Sequence, residues 1–242
     1  MRRAYYIFAY YLSFLVFGTG ALLLNVVCAV LLVFPARELR GRLARGMIHG
    51  LFGLWPKWLN FVGVVRVSYH GFSGPIPSGV VVVANHPSLI DATVLLARMP
   101  GATCIFKPQL MRNPVVGPAA IAAGYTSGSE GIDTIRTVAE KVSAGRSLLI
   151  FPEGTRTSLD RALGSVKAGF ALIAGRGSAP VQLVVIRATK GLVARGRPWW
   201  RYPETLPAFL SVTLDRRWEH DPERHATELA TAVEQRLREV LG

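Results

Sequence analysis

The stretch GVVVVANHPSLID, residues 79–91, joins a run of β-branched residues to a polar turn. Residues 80–84 carry no polar side chain, which predicts a strand buried on both faces of a sheet. Pro87 and Ser88 favour a turn that leads into a helix, because proline suits the first helical turn and serine suits a helix cap. A strand that ends in such a turn is typical of proteins in which strands and helices alternate.

Similar apolar runs recur along the chain, separated by stretches with helical periodicity. Unbroken apolar strands between helices predict an α/β fold for residues 61–242, with a mainly parallel central sheet flanked by helices. The other predicted strands are residues 64–69, 103–106, 147–151, 181–186 and 209–214. The clearest predicted helices are residues 132–142, 167–174 and 226–241.

The N-terminal segment contains no charged side chain between residues 4 and 34. As a helix this run would extend about 46 Å, whereas the hydrocarbon core of a bilayer is about 30 Å thick. Glycines at 18 and 20 allow a bend, and arginines flank both ends, so the positive-inside rule favours both flanks in the cytoplasm. We therefore expect residues 1–36 to form a membrane anchor, as a hairpin in one leaflet or as a single tilted span.

The next segment, residues 37–60, has apolar residues at every third or fourth position with arginines between them. This pattern predicts an amphipathic helix at the membrane interface, with Trp55 and Trp58 in the headgroup layer. A helix packed on the domain would show the same spacing, and opposite faces could serve both purposes. The expected location is the cytoplasmic face of the inner membrane.

The composition narrows the classes of partner. Half of the 242 residues are hydrophobic, and 28 Lys and Arg against 15 Asp and Glu give a net charge of +13. Such a charge favours membrane lipid headgroups or a phosphorylated substrate. Nucleic acid is disfavoured, since no zinc-finger spacing or RNA-binding signature occurs. Cys28 and Cys104 lie in apolar runs and indicate buried core residues, and the sequence leaves the oligomeric state open.

His86 is the first candidate catalytic residue, because it follows the strand of residues 80–84 and precedes Asp91 by five positions. The two side chains can meet only if His86 lies in the turn and Asp91 in the following helix. A histidine held by a carboxylate is a competent general base. The chain contains no G-x-S-x-G or phosphate-loop motif, which favours direct attack by an acceptor. The alternative is a histidine that caps a helix and has no catalytic role.

A second polar stretch, FPEGTRTS at residues 151–158, leaves the end of the predicted strand 147–151. Gly154 allows backbone to approach a ligand, Thr155 adds a hydroxyl, and Arg156 offers a fork suited to phosphate. A polar β-turn is the usual interpretation of such a stretch in isolation.

Together, N-H-x-x-x-x-D at residues 85–91 and F-P-E-G-T-R at residues 151–156 resemble the glycerolipid acyltransferase family, typified by lysophosphatidic acid acyltransferases. The resemblance implies that His86 is the base and Asp91 its partner. It also implies acyl-CoA or acyl carrier protein as the donor, with no metal and no other cofactor. The substrate-binding residues that it suggests are Asn85, Lys107, Glu153, Gly154, Thr155, Arg156 and Lys167.

One departure concerns the acceptor. The family's second block ends in an arginine thought to hold the acceptor phosphate, whereas residues 125–128 read Tyr-Thr-Ser-Gly. The expected acceptor is a lysophospholipid of the 1-acylglycerol-3-phosphate class, with a non-phosphate lipid alcohol as the alternative. A hydrolase and a non-catalytic lipid-binding protein are the competing functions.

Overall fold

A seven-stranded sheet forms the centre of the protein in the computed structural model, which describes residues 2–114, 116–128 and 131–242. The strands are β1 Val65–His70, β2 Val81–Ala84, β3 Thr103–Phe106, β4 Thr126–Ser127, β5 Leu148–Ile150, β6 Val181–Ala188 and β7 Ala208–Trp218. Their order is β1-β7-β6-β2-β5-β3-β4, and neighbours are parallel except for the antiparallel pair β6 and β7. The predicted α/β fold with a mainly parallel sheet is confirmed.

Helices cover both faces of this sheet. In the described part of the chain, five helices precede β4 and three follow it. They are α1 Arg2–Leu31, α2 Arg37–Val62, α3 Asp91–Leu96, α4 Pro108–Met111, α5 Gly117–Ala122, α6 Ile132–Ser143, α7 Gly169–Arg176 and α8 Ala226–Leu241. Helices α4 and α5 and strand β4 were not predicted, because they are too short to show a period in the sequence.

Alternation along the strands divides the buried residues between two cores. Val82 and Ala84 of β2 belong to the core that includes α1, α2, α3 and α5. Val81 and Val83 belong to the opposite core, with α6, α7 and α8. Successive side chains of a strand point to opposite faces, so a strand without polar residues is what a sheet covered on both sides requires.

Helix α1 differs from the predicted hairpin, because it continues without interruption through Gly18 and Gly20. Tyr10 and Cys28, on either side of these glycines, are both buried against the domain. The reversal of direction falls instead at residues 32–36, so α1 and α2 together form the helical hairpin. Among the described residues, α1 is the one helix long and apolar enough to cross a membrane.

Two tryptophans of α2 contact α1. Trp55 is 3% exposed and packs against the rings of Phe14 and Phe17. The indole nitrogen of Trp58 donates a hydrogen bond of 3.0 Å to Ser13 Oγ. Both tryptophans therefore join α2 to α1, as expected for the alternative of a helix packed on the domain.

Candidate active site

The site forms where two neighbouring parallel strands end. Val83 of β2 pairs with Ile150 of β5, so the residues that follow the two strands emerge side by side at one edge of the sheet. Asn85 and His86 leave β2 there, and Phe151 leaves β5. Ligands bind at this carboxyl edge in open α/β sheets.

His86 and Asp91 form a hydrogen-bonded pair. Nδ1 of His86 lies 2.9 Å from Oδ2 of Asp91, and the backbone N–H of Ser88 donates to the same oxygen at 2.7 Å. Asp91 is the first residue of α3 and is fully buried, whereas the His86 side chain is 15% exposed. With Nδ1 donating to the carboxylate, Nε2 is the ring nitrogen that can accept a proton from a substrate.

The carboxylate of Asp91 is poorly compensated for a buried charge. Burial raises the pKa of Asp91 to about 6, although the hydrogen bonds from His86 and Ser88 act in the opposite direction. Among the described residues, no group hydrogen-bonds Oδ1, which is buried. A positive charge that forms on His86 during transfer would lie directly beside this carboxylate.

Phe151 orients the imidazole from the side of β5. The rings of Phe151 and His86 stack with their centroids 4.0 Å apart and their planes inclined by 14°. Sequence reasoning did not assign this residue a role. Its position directly after a strand that pairs with β2 is the signal that could have identified it.

Asn85 and Glu153 hold the backbone of the site. The Asn85 amide donates to the carbonyl of Ile186 at 2.8 Å and accepts from its N–H at 2.7 Å, which ties the end of β2 to β6. Glu153 accepts from the backbone N–H of His86 at 2.9 Å, from that of Gly164 at 2.8 Å and from the Thr157 hydroxyl. Both side chains are buried and hold backbone groups, and their predicted contact with substrate stays a prediction.

Arg156 connects the second motif to the loop after β6. Its Nη1 donates to the carbonyls of Val193 at 2.9 Å and Ala194 at 3.1 Å. Partial burial lowers the pKa of Arg156, and the nearby charge of Asp91 acts against this shift. Within the described part of the chain, these carbonyls occupy Nη1 alone, which leaves Nε and Nη2 to bind a ligand.

Comparison with known proteins identifies the family. The acyltransferase family profile matches residues 66–187. This chain belongs to the acyltransferase family. Two relatives are 1-acyl-sn-glycerol-3-phosphate acyltransferases. The first, from Cocos nucifera, is 27% identical over 220 residues, covering 86% of this chain and 68% of the relative. The chloroplastic BAT2 enzyme of Brassica napus is 28% identical over 190 residues, covering 75% of this chain and 54% of the relative.

The fold of this acyltransferase also matches a solved structure. The 1-acyl-sn-glycerophosphate acyltransferase PlsC from Thermotoga maritima has a TM-score of 0.74 and 20% identity. The match covers 100% of this chain and 96% of that one. The α/β architecture and the helices at the N-terminus of this acyltransferase are therefore shared with PlsC as a fold.

The remaining predicted site residues of the acyltransferase lie around the same edge. Gly154 has φ +66, a left-handed conformation that glycine adopts without strain, and both it and Thr155 are exposed. Lys107 follows β3, on the far side of β5 from β2, and is exposed. The backbone N–H of Lys167 donates to the Pro152 carbonyl at 3.1 Å, which sets it beside the second motif.

The segment without the family's second-block arginine forms the edge strand β4. Thr126 and Ser127 pair with Ile105 and Phe106 of β3. Nζ of Lys141 donates to Thr126 Oγ1 and to the Gly124 carbonyl, each at 2.8 Å. Lys141 therefore binds the first residue of β4. Residues 126–128 themselves include no charged side chain.

Proposed function

We propose that this acyltransferase moves a fatty acyl group from an acyl thioester to the hydroxyl of a 1-acylglycerol-3-phosphate. The observation that carries the proposal is the hydrogen bond between His86 and Asp91 at the carboxyl edge of the sheet. The names of the relatives support the acceptor class. The thioester donor is acyl-CoA or acyl carrier protein.

The reaction follows from the roles of the two side chains. Nε2 of His86 removes the proton of the acceptor hydroxyl while that oxygen attacks the thioester carbonyl, and Asp91 stabilises the imidazolium that forms. An ester C–O bond forms, the C–S bond breaks, and the departing thiolate takes the proton from His86. The products are an ester and a free thiol, so no water or external base is consumed.

Arg156 is the proposed contact for the acceptor phosphate. Its Nε and Nη2 remain for a ligand, and a guanidinium binds phosphate oxygens in a planar, bidentate manner. Lys107 and Lys167 supply further positive charge at the same edge. The absence of an arginine at residues 126–128 favours the second candidate, an acceptor without a phosphate.

The acceptor is tested by comparing two lipids that differ only in the phosphate. The purified full-length chain is supplied with one donor and with either 1-acylglycerol-3-phosphate or the matching monoacylglycerol. We expect a kcat/KM at least about tenfold higher for the phosphate, the ratio for one charged contact of about 1.5 kcal/mol or more. Equal or faster transfer to monoacylglycerol would favour the second candidate. Thiol release from the donor without any acceptor would indicate a hydrolase.

We also propose that the hairpin of α1 and α2 attaches the enzyme to the cytoplasmic face of the cell membrane. The exposed side of α1 is apolar along most of its length, with Arg2 and Arg3 in its first turn and Arg37 beyond its last residue. Because one side of α1 packs on the domain along its length, we infer that only the opposite side contacts the lipid. The protein should stay in the membrane fraction after washing at high salt or alkaline pH. Release by salt alone would contradict the attachment.

A further inference from the structure

A pair of tryptophans lies at the surface between β6 and β7. Trp199 and Trp200 are 51% and 56% exposed, and their rings meet edge to face with the centroids 5.8 Å apart. Adjacent exposed indoles form an apolar patch of the kind that marks a membrane or protein contact. The pair belongs to residues 189–202, which we call the tryptophan loop.

The tryptophan loop is also basic. Lys190, Arg195 and Arg201 of the tryptophan loop are exposed. Arg197 lies 3.8 Å from Glu204, so part of its charge is compensated. Tryptophans beside several basic residues match the interface of a bilayer that contains anionic lipids, because indole rings favour the headgroup layer and basic side chains favour lipid phosphates.

The tryptophan loop is continuous with the apolar surface of α1. The Tyr10 hydroxyl donates to the backbone carbonyl of Trp199 at 3.0 Å, and the rings of Trp199 and Phe14 lie 6.2 Å apart. Tyr11 and Leu15, the neighbours of these two residues on α1, are exposed. Two separate parts of the chain thus present apolar side chains next to each other.

The other end of the tryptophan loop is fixed to the catalytic turn. The Ser88 hydroxyl donates to the Leu192 carbonyl at 2.7 Å, and the Leu89 N–H donates to the Val193 carbonyl at 3.1 Å. Val193 is buried and has φ +46, a conformation that costs a β-branched residue energy and persists only when its surroundings hold it. The loop is therefore a built connection between the α1 surface and the turn that carries His86.

We propose that the tryptophan loop is a second membrane contact, in which Trp199 and Trp200 lie in the headgroup layer of an anionic bilayer beside α1. The contact sets the position of the catalytic turn relative to the lipid surface, since Leu192 and Val193 bind that turn. This inference rests on the membrane attachment proposed above and adds a named contact to it.

The depth of residue 200 tests the proposal directly. Trp200→Cys in the full-length chain is labelled with an environment-sensitive fluorophore, and Cys28 and Cys104 are buried and so protected from the reagent. The protein is bound to vesicles of equal parts phosphatidylcholine and phosphatidylglycerol, with a nitroxide quencher on the lipid. The matched control is Leu172→Cys on α7, which is 39% exposed on the opposite face of the sheet. We expect strong quenching at residue 200 and none at residue 172.

A charge reversal adds a second readout. Arg201→Glu in the labelled protein should reduce quenching by about twofold or more, because it replaces a side chain that anionic lipids attract with one that they repel. Arg176→Glu, an exposed arginine of α7, should leave quenching unchanged. Equal quenching at residues 200 and 172 on protein that co-sediments with vesicles would overturn the proposal. Quenching between labelled copies without lipid would also overturn it, by indicating a dimer contact.

The failure of the loop proposal and that of the enzymatic proposal give different results. The quenching measurement contains no acyl donor, so a protein that transfers no acyl group can still show a quenched label. A protein that transfers acyl groups from vesicles with an unquenched label refutes the tryptophan loop alone.

Discussion

The imidazole of His86 lies face to face with the ring of Phe151, with 4.0 Å between the ring centroids and 14° between the planes. The hydrogen bond to Asp91 fixes the direction in which Nδ1 points. The stack on Phe151 is a separate contact and limits tilting of the imidazole plane. The face of an aromatic ring also attracts a cation, by about 0.5–1 kcal/mol at exposed sites and more when desolvated. Phe151 therefore helps to position the base, and its ring face lies against the imidazolium that forms during transfer.

Phe151→Leu should lower kcat by about threefold to tenfold, in keeping with about 0.5–1.5 kcal/mol for a stacked aromatic pair. The KM for acceptor should change little, because the stacking partner is the base and not the substrate. Phe151→Tyr keeps the ring and should retain most of the activity. Steady-state kinetics on the two variants makes the comparison. A leucine variant with unchanged kcat would show that the stack has no catalytic role.

Asp91 should limit activity on the acid side. Transfer requires an ionised Asp91, whose pKa is raised to about 6 by burial. As the pH falls through about 6, the rate should fall with an apparent pKa that belongs to the His86–Asp91 pair. Asp91→Asn should lose most of the activity, because an amide can fix the wrong tautomer of the imidazole. A pH–rate profile of the wild type without an acid limb near 6 would contradict this expectation.

The same carboxylate should destabilise the folded protein at neutral pH. A pKa raised from 3.8 to about 6 means that the folded state binds the proton more tightly than the unfolded state. Stability is therefore lost as the pH rises from 3.8 to 6, by about 3 kcal/mol for a shift of about 2 units. Asp91→Asn should be more stable than the wild type above pH 6 by up to that amount, and Asp133→Asn, at an exposed site, should not. Thermal unfolding at two pH values measures both effects, and an asparagine variant less stable at pH 8 would contradict them.

Glu153 should contribute to the stability of the folded protein. In Glu153→Gln, the amide NH₂ would face the N–H of Gly164 or His86, so two donors would meet without an acceptor. The charge-assisted hydrogen bonds are also lost, and the free energy of unfolding should fall by about 2–3 kcal/mol. The melting temperature should fall by about 4–10 °C. Glu140→Gln, at an exposed position of α6, is the matched control. A Glu153→Gln protein with an unchanged melting temperature and a raised KM would restore the substrate-binding role.

Arg156 should act on the phosphate acceptor. Arg156→Lys keeps a positive charge but loses the fork, so the KM for 1-acylglycerol-3-phosphate should rise by about tenfold or more. The kcat/KM for monoacylglycerol should fall much less. Arg161→Lys, in the same loop but exposed beside Asp160, is the control. Equal losses on both acceptors would mean that Arg156 serves only to hold the loop at Val193.

The sequence predicted the elements whose signal is local. Apolar runs marked β2 and β5 within one residue, and the spacing of His86 and Asp91 predicted a turn followed by a helix, as found. Their meeting depends on six consecutive positions, so it can be derived without knowledge of the rest of the fold.

Contacts between distant segments could not be derived in this way. Asn85 meets Ile186 across 101 positions, and Ser88 meets Leu192 across 104, because β6 lies beside β2 in the sheet. Neither the strand order nor the antiparallel β7 is encoded in a local pattern. The packing of α1 on the domain, at Tyr10 and Cys28, likewise joins segments that are distant in the sequence.

The central claim is that His86 is the base for acyl transfer, and its removal tests the claim most directly. Initial rates of acyl transfer to 1-acylglycerol-3-phosphate are compared for the wild type, His86→Ala and His220→Ala, an exposed histidine outside the site. The melting temperature is checked for each protein. His86→Ala should fold normally and lose about 10²- to 10⁴-fold in kcat, the usual contribution of a general base, and His220→Ala should lose nothing. A folded His86→Ala protein that transfers acyl groups at close to the wild-type rate would contradict the mechanism.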